Sequence, residues 1–249
     1  MKDVIVEKLK EIEEKENVRI IMAIESGSRA WEFASPDSDY DVRFIYVRKR
    51  EDYLKLNPVR DVIEWQLDET LDINGWDVKK ALQLLYKSNP TIIEWCSSPI
   101  VYKSSEEFEE LKKMVPNYFS EKKNVYHYWH MAETNYRTYL KTDEVKIKKY
   151  FYVLRPILAA KWILDKKCSP PMSFSELMEN ELINELKPCV QRLLEMKKET
   201  PEMGLAEKIQ SLNDYIDSSL IEIKEEAEKI QDKMTTFDEL DTFFLKLLS

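Results

Sequence analysis

Apolar residues Val4, Ile5, Leu9 and Ile12 recur at the helical period with Glu and Lys between them, which predicts a helix over residues 3–16. Val18 to Ile24 is an apolar run broken only by Arg19 and rich in β-branched residues, the pattern of a largely buried strand. From Asp39 to Val47 the period changes to two, with Tyr40, Val42, Phe44 and Tyr46 alternating with Asp39, Asp41 and Arg43. Asp61 to Leu67 and Leu71 to Ile73 carry weaker strand patterns. Beyond Gly75 the periodicity is helical: 78–86, 91–96, 106–114, 118–140, 144–164, 174–181, 183–198, 205–230 and 237–248.

Strands first and helices after them define an α+β chain, a small mixed β-sheet followed by an all-helical C-terminal region. Ser97-Ser98-Pro99 and Ser104-Ser105 interrupt the periodicity, and this places the domain boundary at 104/105: a sheet domain over residues 1–104 and a helical domain over 105–249.

Composition narrows the functions this fold can serve. A net charge of −9 argues against a broad basic face for duplex nucleic acid and suits a metal with a nucleotide. The longest apolar stretch, Tyr150 to Leu164, is broken by Arg155, Pro156 and Lys161, which excludes a membrane span there. The chain opens on a charged amphipathic stretch without a signal-peptide core, and three widely spaced cysteines suit reduced thiols in a cytosol. With only three glycines in the chain, Gly27, Gly75 and Gly204 are each expected to answer a local backbone need.

Residues 27–46, GSRAWEFASPDSDYDVRFIY, bring together three features that one chemistry requires. A buried strand ends in Gly27-Ser28, and a short helix can begin at Arg29. Backbone N–H groups at such a turn, with the Ser28 hydroxyl, can cradle phosphate oxygens. Asp39 and Asp41 stand two apart on a strand, so both carboxylates leave one face about 7 Å apart, a spacing that suits shared divalent cations. Between the Gly-Ser turn and Asp39, Ala34-Ser35-Pro36-Asp37-Ser38 is a turn that lets the second strand return beside the first. Paired carboxylates beside a phosphate-cradling loop imply phosphoryl or nucleotidyl chemistry with Mg²⁺ or Mn²⁺. Asp72 is the leading candidate for a third carboxylate, with Glu64 and Asp77 as the others, Asp77 also standing where a helix N-cap belongs.

The segment resembles the GS…DxD signature of the polymerase β-like nucleotidyltransferases. Together with LDINGWDVKKAL (71–82), SNPTIIEWCSSPIVY (88–102) and KKYFYVLRPILAAKWIL (148–164), it resembles the nucleotidyltransferase family of the Bacillus YcgL-type proteins. That family's relatives include a protein associated with RNA ligases in RNA repair systems. The resemblance implies a polymerase β-like palm with Gly27, Ser28, Asp39 and Asp41 in the active site and Asp72 as the third metal ligand. The chain departs from the family at Glu32, where relatives usually have glycine, a difference that bears on the loop backbone and the space for a triphosphate.

Lys148, Tyr152 and Arg155 form one helical stripe with Lys149 beside it, and Lys149 and Arg155 join Arg29 as candidates to hold nucleotide phosphates. Asn89-Pro90 reads as a helix cap and first turn, while His127 and His130 read as ordinary helix histidines. Tyr126, Tyr128, Trp129, Tyr136 and Tyr139 could stack a base or pack helices, and Glu222 to Lys233 reads as a solvated face. The expected enzyme moves a nucleoside monophosphate from an NTP, ATP foremost, to an acceptor hydroxyl or phosphate, with an RNA end among the possible acceptors. A nucleotide-sensing module without turnover and an antitoxin-like partner of a helical toxin are the rival readings.

Overall fold

The computed structural model describes residues 1–68, 70–199 and 205–249, and Gly204 lies outside them. Along the first half the elements are α1 (Lys2–Glu16), β1 (Arg19–Glu25), α2 (Gly27–Ala30), β2 (Tyr40–Val47), α3 (Arg50–Tyr53), β3 (Val62–Asp68), β4 (Leu71–Asp77), α4 (Val78–Tyr86), α5 (Pro90–Cys96) and β5 (Val101–Ser104). The remainder is α6 (Glu106–Tyr118), α7 (Glu121–Tyr139), β6 (Glu144–Lys146), α8 (Ile147–Lys166), α9 (Phe174–Glu181), α10 (Lys187–Glu199), β7 (Leu205–Glu207), α11 (Gln210–Lys229) and α12 (Asp238–Leu247). Among the described residues no helix is long and apolar enough to cross a membrane.

The chain divides into two compact units, Met1–Ala30 with Asp39–Tyr118 and Met234–Ser249, and Trp31–Ser38 with Phe119–Lys233. The first unit is built on a five-stranded mixed sheet in the order β3-β4-β2-β1-β5. β2 runs antiparallel to β1 and parallel to β4, so the two most informative sequence segments, 39–47 and 71–77, lie side by side. Alternation along β2 sends Val42, Phe44 and Tyr46 into a core shared with Ile5, Leu9 and Ile12 of α1. That leaves Asp41 and Arg43 on the opposite face.

Gly75 lies opposite Phe44 in the parallel register, and a Cβ there would stand 2.1 Å from the Phe44 ring. Because Phe44 is fully buried, its ring cannot swing clear. Gly75→Ala is therefore expected to destabilise the protein by about 2 kcal/mol, the usual scale of overpacking, read as a lowered midpoint in urea unfolding. An unchanged midpoint would contradict this packing.

Three expectations change. Ser104 does not end the first unit. Val101–Ser104 pairs antiparallel with β1 as β5, α6 follows within the same unit, and α12 belongs there too. Long-range contacts account for this: Asn117 donates to Glu239, the Tyr118 hydroxyl donates to the Thr236 carbonyl, and the Tyr86 ring stacks on Phe237. Second, the helical region carries a small antiparallel ribbon. Residues 144–146 pair as β6 with residues 205–207 as β7, so both flanking helices start later than their periodicity predicts. Third, the helix expected from 183 begins at Lys187, which puts Pro188 in its first turn, where a missing N–H leaves no helical hydrogen bond unmade.

In the second unit, Phe33 packs on Phe151 and Phe174 with ring centroids 5.3 and 5.7 Å apart. Trp129 and Tyr136 are buried, their polar tips donating to the Leu220 carbonyl and the Asp217 carboxylate, so these two aromatics pack helices. Glu32 adopts φ 69°, the left-handed region that glycine enters most easily, and its carboxylate accepts from the Ser173 hydroxyl. The glycine-like backbone of that position is thus kept by a charged residue.

Candidate active site

β1 is apolar from Ile20 to Ile24 and ends on Glu25, which is fully buried. One Glu25 oxygen accepts the Asp41 backbone N–H at 2.8 Å and the other accepts the Tyr102 hydroxyl. The Ser26 N–H in turn donates to the Asp41 carbonyl at 2.8 Å. One buried carboxylate thus ties the ends of β1 and β2 to β5. A charge closing an unbroken apolar run was the sequence signal for Glu25, and reading motif residues alone misses it.

Burial pushes the Glu25 carboxyl above its ordinary value of 4.5, with the bonds from Tyr102 and the Asp41 backbone opposing it. The folded protein then binds this proton more tightly than the unfolded chain. Stability from this group is fully present below 4.5 and is lost as pH rises through the folded value. Glu25→Gln removes that titration. Its unfolding midpoint is expected to gain on the wild type as pH rises above 4.5, whereas a difference independent of pH would rule out the assignment.

Immediately after Glu25 and Ser26 comes Gly27, at φ 61°, where a Cβ would meet Asp41 Oδ2 at 2.1 Å. The Gly-Ser turn and the Asp41 carboxylate are therefore in direct contact. Ser28 and Arg29 lie in the single turn of α2, with Arg29 Nε donating to the Asp39 carbonyl at 3.1 Å and its guanidinium 3.8 Å from the Tyr40 ring centroid. Asp39, exposed, stands just before β2 and Asp41, half-buried, within it.

Asp41 and Asp72 are register partners across β2 and β4. Arg43 Nη2 donates to both, at 2.9 Å to Asp41 Oδ1 and 2.8 Å to Asp72 Oδ2. Burial raises the Asp41 carboxyl above its ordinary 3.8. Arg43 pulls it down, while the charges of Asp72 and Asp39 push it up again. Of the other two carboxylates left open, Glu64 is exposed on β3 opposite Asn74. Asp77, at the far end of β4, caps α4 by accepting the Lys79 N–H at 2.8 Å and also accepts from Tyr53. Asn89 and Pro90 likewise form the N-cap and first turn of α5.

Lys149 and Arg155 belong to the second unit. Lys149 Nζ stands 3.5 Å from the Tyr139 ring centroid, and Arg155 is 3% exposed with its guanidinium 4.3 Å from that of Trp31. Among the described residues no three His, Cys, Asp or Glu side chains converge into a ready metal cage. The donor set nevertheless fits a hard cation that takes part of its shell from a substrate. Two carboxylates already share one cationic nitrogen, and Mg²⁺ is commonly held by one or two carboxylates plus phosphates.

A small mixed sheet whose adjacent strands carry a Gly-Ser turn against an aspartate pair has the layout of a polymerase β-type nucleotidyltransferase, a class that usually works with divalent metal ions. The chain matches the RNA repair pathway DNA polymerase beta family over residues 1–246 and belongs to that family. It is 46% identical over 249 residues to the uncharacterized protein YcgL of Bacillus subtilis (strain 168), covering 98% of this chain and 95% of that one. Among solved structures, a nucleotidyltransferase-like protein from Exiguobacterium sibiricum 255-15 aligns over 90% of this chain and 74% of its own, at 13% identity and a TM-score of 0.34.

Proposed function

We propose that this protein transfers a nucleoside monophosphate from an NTP, ATP foremost, to an acceptor hydroxyl or phosphate, releasing pyrophosphate. The observation that carries the proposal is the contact of the Gly27 turn with Asp41 while Asp41 and Asp72 share one cationic partner. Asp39, Asp41 and Asp72 are the proposed ligands of Mg²⁺ or Mn²⁺. When bound, the ion supplies an activated acceptor oxygen and charge neutralisation at the leaving pyrophosphate.

Gly27, Ser28 and Arg29 would bind and orient the β and γ phosphates through backbone N–H groups, a hydroxyl and a guanidinium. Glu25 holds the Asp41 backbone in place, which keeps the carboxylate aimed at the turn. The family's description as an RNA repair pathway supports an RNA end as acceptor. Three free cysteines suit the reducing cytoplasm as its compartment.

The test is incubation with each α-labelled NTP, Mg²⁺ or Mn²⁺, and RNA ends, small molecules or proteins as acceptors. Label passing to one acceptor class and lost in the Asp39→Ala, Asp41→Ala double variant supports transfer. Metal-dependent NTP binding without transfer to any acceptor would favour a nucleotide sensor instead. Loss of both would end the reading.

A further inference from the structure

Arg43 is the cation that the carboxylate pair holds. Its Nη2 is bonded to both Asp41 and Asp72, and its Nη1 donates to the backbone carbonyls of Val42 at 3.1 Å and Asp72 at 3.0 Å. The guanidinium is thus pinned by four contacts, with its side chain only 18% exposed. A divalent ion on this pair would draw on the same two carboxylates, at roughly 2.1 Å from their oxygens. It would also stand against a like charge. The guanidinium and the ion therefore compete for the pair.

Resting on the reading of this pair as metal ligands, we propose that Arg43 is a resident competitor of the metal, which must leave Asp41 and Asp72 before a divalent ion can enter and which then binds the nucleotide's phosphates. The released group suits that second role. A guanidinium is permanently charged and presents paired N–H donors that match phosphate oxygens. The two carbonyl contacts of Nη1 do not involve the carboxylate oxygens, so a metal on the pair does not compete for them. Metal and nucleotide then assist one another: the ion frees Arg43, and the triphosphate gives it a new partner. Such mutual assistance is a coupling free energy and must act equally in both directions.

The test compares Mn²⁺ binding to the full chain by calorimetry or electron paramagnetic resonance, with and without a non-hydrolysable α,β-methylene ATP analogue. It uses the wild type, Arg43→Gln and Asp41→Asn. Without nucleotide, Arg43→Gln is expected to bind Mn²⁺ about fivefold more tightly than the wild type, the scale of one partly exposed ion pair. Adding the analogue is expected to tighten Mn²⁺ binding in the wild type and much less in Arg43→Gln.

If Arg43→Gln binds Mn²⁺ no better than the wild type while Asp41→Asn loses it, the competitor role is overturned and the metal site stands. If Asp41→Asn binds Mn²⁺ as the wild type does, the metal-site reading falls and the competitor role falls with it. The wild type supplies a check independent of folding in the variants. The Arg43 side-chain ¹⁵Nε resonance is expected to shift on saturation with Mg²⁺ and the analogue, and an unmoved resonance overturns the proposal.

Discussion

Replacing Asp41 with asparagine is expected to lower nucleotidyl transfer by on the order of a thousandfold, which corresponds to about 4 kcal/mol of lost transition-state stabilisation. Asparagine keeps the shape and one acceptor oxygen but carries no charge for a divalent ion to answer. The fold should tolerate the change. Burial and the charges of Asp72 and Asp39 already push the Asp41 carboxyl above 3.8, so the folded state favours a neutral group at this position. The backbone N–H and carbonyl of Asp41, which Glu25 and Ser26 bind, are untouched. The check is single-turnover transfer of labelled α-phosphate alongside a urea unfolding curve. Transfer within tenfold of the wild type would remove Asp41 from the chemistry.

Gly27→Ala should reach much the same end by geometry alone. At φ 61° a side chain costs about 1–2 kcal/mol, and the new methyl would sit 2.1 Å from Asp41 Oδ2. The carboxylate must then move by roughly an ångström, and displacement of that size costs on the order of a hundredfold in rate. No charge has been removed, so Mn²⁺ should still bind, although less tightly than to the wild type. A Gly27→Ala protein that folds and transfers at the wild-type rate would show that Asp41 does not work from its position against the turn. Gly75→Ala is the useful contrast, because the atoms it crowds belong to the Phe44 ring and its effect should appear in stability.

Much of this architecture is written locally. The helical period located α1, α4, α5 and α9 to within two residues, since amphipathic helices bury a face whose spacing is visible in any short window. The apolar run of β1, the alternation in β2 and the turn between them predicted an antiparallel pair with a glycine-serine end, and the register Glu25↔Val42 is that pair. Asp77 and Asn89 were legible as caps because a cap is an interaction with the backbone two residues on.

What the sequence by itself determined, then, was which of the longer segments become helix or strand and which residue types stand at the end of the sheet. Only the tertiary structure decided who meets whom. β5 is four residues long between serine-rich breaks, and β6 and β7 sit in stretches whose periodicity continues into helices, so each is a strand only because a distant partner completes its hydrogen bonds. The pairing of Asp41 with Asp72 depends on a parallel register between segments far apart in the chain, and a slip of one residue would turn Asp72 to the other face. Arg43 between them, and Glu25 held by Tyr102, follow from that register and from β5 closing on β1. Local periodicity records the environment a residue seeks, whereas the identity of its partner depends on how the whole chain closes its core.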